Sequence, residues 1–124
     1  IINGAGNYYI EARTRSMGRT DVIIDYKGKQ LVARVILNRV ESESFPNTIE
    51  KVVYQTGQFA VVANGSIDRI KVSRETIDAC DSVLDGWDES RGATYFRMQT
   101  KTRSEWHYTA LTFLFDYGTH SFFE

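Results

Sequence analysis

Glu11 and Tyr8 stand three residues apart in "NGAGNYYIEARTR", residues 3 to 15. The stretch reads as a helix with Asn3 placed to cap it. On a helix that spacing puts the two side chains on one face. An aromatic wall partly desolvates a carboxyl group and raises its pKa. A carboxyl of that kind can protonate a glycosidic oxygen as a general acid. The competing reading is a solvated helix glutamate, which is where most glutamates lie.

A second group lies in "FPNTIEKVVYQTGQF" and the residues after it. Gln55, Gln58 and Asn64 are neutral amides that both donate and accept hydrogen bonds. Tyr54 and Phe59 offer flat apolar faces. Sugars present hydroxyls at their edges and C–H bonds on their faces, so amides beside aromatics suit a carbohydrate cleft. The alternative is a helix end running into a turn. A third group, Asp78, Asp81 and Asp85, has the hard oxygens a calcium ion takes, but its helical spacing also fits a solvated face, which is the preferred reading. His107 and His120 are too few for a self-sufficient metal site, and His120 reads as a hydrogen-bonded structural histidine. Cys80 sits on an apolar helix face without a basic neighbour and reads as a core residue. No metal or cofactor is expected.

These residues need elements to hold them. Residues 28 to 42, "GKQLVARVILNRVES", carry apolar side chains around most of a helical wheel, which predicts a helix buried at the centre of the fold. Its narrow polar strip holds Arg34 and Asn38. Arg39 falls within the apolar arc, and a buried guanidinium needs a carboxylate or carbonyl partner. Residues 14 to 27 read as a loop with a small hairpin. Pro46 suits a first helical position, predicting a short helix over 46 to 55. "TGQFAVVANGS" reads as a turn, a short strand and an Asn-Gly turn. Residues 73 to 85 predict an amphipathic helix, capped by Ser73, ended by Gly86, with Ile77, Cys80, Val83 and Leu84 inward. The aromatic and β-branched tail from residue 93 favours short antiparallel strands. The class is α+β, helices first, with a small sheet from the middle and the tail.

At 124 residues the chain fits one domain, 1 to 124. A formal net charge of −1 gives no global case for nucleic acid or an acidic membrane surface. One cysteine excludes an internal disulfide framework. No stretch is apolar for the ~18 residues of a membrane span. The chain begins with Ile1 and is expected to be a processed form or an excised domain.

"LVARVILNRVESESFPNTIEKVVYQTGQFAVVANGSI" closely resembles the core of the SleB/CwlJ-type cell wall hydrolases, the spore cortex-lytic enzymes and their bacterial and phage relatives. "GWD", "GATYF", Trp106 and "GTHSFF" look like that family's closing strands, so the resemblance runs from about residue 27 to 124. "EAR" at Glu11 to Arg13 resembles the end of the family's first helix. The connection that follows, "TRSMGRTDVIIDYKGK", is longer than the family's and lacks the glutamate of its usual turn.

The resemblance implies a lysozyme-like fold, related to lytic transglycosylases and resuscitation-promoting factors. It also implies cleavage of peptidoglycan between N-acetylmuramic acid and N-acetylglucosamine. By motif, Glu11 becomes the catalytic acid/base. Gln55, Gln58, Phe59, Tyr95 and Phe96 fall in segments that build or support the cleft, and Tyr8 and Asn64, from the reading of the residues themselves, join them as expected substrate-binding residues. Asn38, Arg39 and His120 take structural roles. A monomer acting outside the cytoplasm is expected, on wall or spore cortex, without nucleic acid or membrane insertion. Lacking a second carboxylate with a motif, the chain favours lytic transglycosylation over plain hydrolysis. If water is the nucleophile, Asp21 or Asp25 would have to activate it. An amidase would need zinc, for which His and Cys are scarce. A non-catalytic binding module is the remaining rival.

Overall fold

The computed structural model describes residues 25–55 and 72–124. The expected first helix, the loop up to residue 24 and the turn–strand–turn over 56–66 lie outside the described residues. Helix α1 spans Tyr26–Glu41. It starts two residues before the expected position because Asp25 caps it, accepting the Gly28 amide at 2.6 Å. Leu31, Val32, Ala33, Val35 and Ile36 are wholly buried, as the nearly all-round apolar pattern requires.

Helix α2 spans only Ile49–Val53, which corrects the expectation of a helix opening at Pro46. Thr48 is the cap, and its hydroxyl accepts the Lys51 amide at 3.2 Å. Pro46 lies upstream in the entry loop. Helix α3 spans Arg74–Leu84, capped by Ser73. Gly86 follows it with φ +114°, a backbone that only glycine adopts without strain. The buried face of α3 is Thr76, Ala79, Cys80 and Val83, whereas Leu84 is 42% exposed. Of the expected inward residues Cys80 and Val83 are buried, Ile77 is half-buried and Leu84 is exposed, and Thr76 and Ala79 complete the buried face. Between the two helices Lys29 reaches Glu75 at 3.1 Å and Gln30 donates to Ser82 Oγ at 2.9 Å.

The tail forms an antiparallel sheet in the order β1-β3-β2. Strand β1 is Tyr95–Met98, β2 is Phe113–Tyr117 and β3 is His120–Phe123. Among the described residues the sheet comes from the tail alone. Helix α4, Trp106–Ala110, precedes β2, so Trp106 opens a helix rather than belonging to a closing strand. Tyr95 pairs with Phe123 and Phe96 with Phe122. Side chains alternate across a strand, so Phe96 and Phe122 face one side and Tyr95 and Phe123 the other.

The inner side closes the core. One cluster joins Val32, Ile36, Val52, Val53, Cys80 and Val83, and a second joins Leu31, Val35, Ala93 and Phe122. Trp87, Phe96 and Tyr117 touch both. Burial pushes the Cys80 thiol up to about 12, with the neighbouring Asp81 charge adding to the shift. Cys80 is thus the core residue the sequence predicts.

Candidate active site

The last turns of α1 carry two polar residues, Asn38 and Arg39, that reach across to the segment before β1. Asn38 donates to Ser90 Oγ at 2.9 Å and to the Ala93 carbonyl at 2.8 Å, and accepts from Arg34 Nε at 2.9 Å. Arg39, 3% exposed, donates through Nε to the Thr94 carbonyl at 2.6 Å. Its guanidinium carbon lies 4.7 Å from the centre of the Phe45 ring and 5.0 Å from that of Tyr95. Desolvated cation–π contacts of this kind are worth ~2 kcal/mol each. The expected carbonyl partner of Arg39 is present, and both residues tie α1 to the segment leading into β1.

Tyr95 anchors an aromatic row. Its ring centre is 5.6 Å from Phe45 and 5.9 Å from Trp106, which in turn lies 5.3 Å from His107. Burial, then the charges of Arg97 and Arg39, hold His107 below the usual histidine range, with Glu105 opposing. Beside Phe45 the surface opens into a groove also lined by Ser42, Glu43, Asn47 and Lys51.

The sequence-predicted site residues scatter by position. Glu11, Tyr8, Gln58, Phe59 and Asn64 lie outside the described residues. Gln55 follows α2, and its Oε1 is buried without a hydrogen-bond partner among the described residues. Tyr54 beside it is 44% exposed. Phe45, which Tyr95 contacts, precedes α2, whereas Gln55 follows it. Phe96 points the opposite way from Tyr95, against Phe122 at 5.9 Å and His120 at 6.0 Å. It supports the wall from behind. His120 is wholly buried in β3, as its structural reading expects, with Nδ1 3.2 Å from the Thr119 hydroxyl.

Asp25, one of two carboxylates that could activate water, has both oxygens engaged. One caps α1, and the other accepts the Tyr117 hydroxyl at 2.8 Å. Asp21 lies outside the described residues. On this acidic face Asp78 pairs with Arg74 at 3.1 Å and Glu75 with Lys29 at 3.1 Å. Among the described residues no three or more His, Cys, Asp or Glu side chains converge as metal ligands. Nor, among them, is any helix long and apolar enough to cross a membrane.

The sequence singles out neither Phe45 nor Trp106 of the aromatic row. Phe45 stands within the stretch read as a carbohydrate cleft without being named in it. Trp106 was hidden in a run whose composition favours strands.

Comparison with known proteins places this architecture. The model of a family described as cell wall hydrolase matches residues 25–123. The catalytic domain of the germination-specific lytic transglycosylase SleB from Bacillus anthracis superposes with a TM-score of 0.76 at 30% identity, covering 96% of this chain and 94% of that domain. The catalytic domain of Bacillus cereus SleB gives 0.74 at 30% identity, covering 96% and 90%. The spore cortex-lytic enzyme of Bacillus cereus is 37% identical over 84 residues, which is 68% of this chain and 32% of that protein. That of Bacillus subtilis is 33% identical over 81 residues, 65% and 26% respectively. The matches thus span about a third or less of these longer relatives. The α+β, lysozyme-like fold expected from the sequence is the fold found, and the chain belongs to the cell wall hydrolase family.

Proposed function

We propose that residues 1–124 form one catalytic unit that cleaves peptidoglycan between N-acetylmuramic acid and N-acetylglucosamine, as a lytic transglycosylase with Glu11 as catalytic acid and base. The observation that carries this reading is the near full-length match to a domain described as a lytic transglycosylase.

In this mechanism Glu11 protonates the glycosidic oxygen, and N-acetylglucosamine leaves with its 4-hydroxyl restored. The substrate's own N-acetyl group, or the amides of Gln55, Gln58 and Asn64, stabilise the cation-like C1. Glu11, now ionised, takes the proton of the muramic 6-hydroxyl. That oxygen bonds to C1 and closes a 1,6-anhydro ring without water. An intramolecular hydroxyl has a large entropic advantage over solvent. Tyr8, Phe59 and Tyr95 offer ring faces to the sugars, with Phe96 behind the wall. The enzyme acts outside the cytoplasm, where its substrate is.

Digestion of purified peptidoglycan followed by mass spectrometry tests the reading. Most muramic ends should lack one water and resist borohydride. Glu11→Gln should lower the rate by about a hundredfold or more while leaving the fold intact. Mainly hydrated, reducible ends would make water the nucleophile. Wild-type clearance by Glu11→Gln would remove Glu11 from the chemistry. Release of free peptide would mean an amidase, and binding without any cleavage would mean a wall-binding module.

A further inference from the structure

The outer face of the sheet carries an exposed tryptophan that the core does not need. Trp106 is 56% exposed, yet its surroundings hold it firmly. The Thr100 hydroxyl donates to Glu105, the cap residue of α4. The Tyr108 hydroxyl meets Ser121 Oγ at 2.8 Å, and Ser121 donates to Asp116 at 2.5 Å. Arg103 grips the same carboxylate at 3.0 and 3.4 Å and lies 5.4 Å over the Tyr108 ring. A five-residue helix is too short to be stable by itself, so this network fixes where Trp106 sits. Tyr95 and His107 meet the indole nearly at right angles, 73° and 80°. They brace it without stacking over it.

We propose that the aromatic row of Trp106, Tyr95 and Phe45 presents the exposed Trp106 ring for stacking on N-acetylated hexosamine units of a glycan strand, with Tyr95 and Phe45, whose rings lie under the Arg39 guanidinium, as its support. Ser42, Asn47 and Lys51 in the adjoining groove would bond the sugars' hydroxyl and acetamido groups. An aromatic face is electron-rich and attracts the C–H face of a pyranose. The polar lining of the groove supplies a donor ammonium, an amide and a hydroxyl beside that face. A protein partner is the poorer fit, because protein interfaces centre on a desolvated apolar core depleted in charge, and this groove mixes Glu43 with Lys51. The row is rigid before binding, so little ordering cost is added when a sugar lands. This inference rests on the peptidoglycan reading and names a contact for its substrate.

Two measurements separate the row from that reading. In the Glu11→Gln background, co-sedimentation with insoluble peptidoglycan reports binding without turnover. Trp106→Ala should weaken it about five- to tenfold, and Trp106→Phe less. In the active enzyme, Trp106→Ala should raise KM similarly and leave kcat within about twofold. Leu84→Ala, which trims another exposed apolar side chain on α3, should change neither. Equal binding by Trp106→Ala and its parent overturns the row, whether or not the wild type cleaves. So does an equal loss with Leu84→Ala, which would mark general apolar adsorption. If the wild type binds through Trp106 yet cleaves nothing, the row stands and the catalytic reading fails.

Discussion

The two faces of the three-stranded sheet are made by the same thirteen residues and are put to different uses. Inward, Phe96, Phe115 and Phe122 stack on one another, with Phe115 and Phe122 4.8 Å apart and 9° from parallel. They close the core against α1, where burial of each such ring stabilises by about 1.5–3 kcal/mol. Outward, Tyr95, Ser121, Phe123 and Asp116 hold α4 through rings and hydrogen bonds, and leave Trp106 facing water. The alternation of a strand allows this division. One face is free to maximise packing, and the other is free to fix a polar and aromatic surface in place.

The largest expected effect tests the inner face. Phe122→Ala should destabilise the protein by about 3–5 kcal/mol in urea unfolding, because the cavity would open between two packed clusters. Trp106→Ala should stay within about 0.5 kcal/mol of wild type in the same assay. Similar losses from both would mean that the outer face is core as well, and the contrast between the faces would collapse.

Much of the inner half was legible in the sequence. The crowded apolar wheel of α1 predicted its burial, and the position of Arg39 within that wheel predicted a carboxylate or carbonyl partner, of which the Thr94 carbonyl is the one found. Ser73 and Gly86 marked the ends of α3, since each answers a local backbone need. Phase and short elements were not legible. Leu84 looked inward by type but is exposed, whereas Thr76 and Ala79 are buried. "SEWHYTA" is too short to show a helical period, and its composition favours a strand. Its helix depends on Tyr95, Ser121 and Asp116, which are distant in sequence. Of the aromatic row, Tyr95 was singled out in the sequence and its neighbours Phe45 and Trp106 were not. Pattern reading cannot see a row assembled from three separate elements.

A middle-sized effect sharpens the border between the faces. Arg39 sits where the end of α1 meets the aromatic row. Arg39→Met keeps much of the apolar stem but leaves the Thr94 carbonyl without its donor. An unsatisfied buried acceptor costs about 1–3 kcal/mol. Stability should fall by that amount, and the Trp106 emission should shift because Tyr95 loses its cation. Full stability in this variant would mean that water or a neighbour replaces the guanidinium, and the row would not depend on α1.

The smallest effect lies at the other end of the inner face, where Tyr117 ties the sheet to the cap of α1. Burial first, then the hydrogen bond to Asp25 and that carboxylate's charge, raise the Tyr117 hydroxyl to about 12. An unfolded tyrosine titrates near 10. Between these values the folded state keeps a proton that the unfolded state has lost, so stability falls as pH rises. The contribution is complete below about pH 10 and gone by about pH 12. Other tyrosines and lysines titrate in the same window, so the wild type alone cannot isolate it. The comparison with Tyr117→Phe can. The gap in melting temperature between the two should be constant up to about pH 10 and close over the next two units. A gap that persists unchanged at pH 12 would mean that the hydroxyl does not hold its proton on Asp25. The cap of α1 would then stand without help from the sheet.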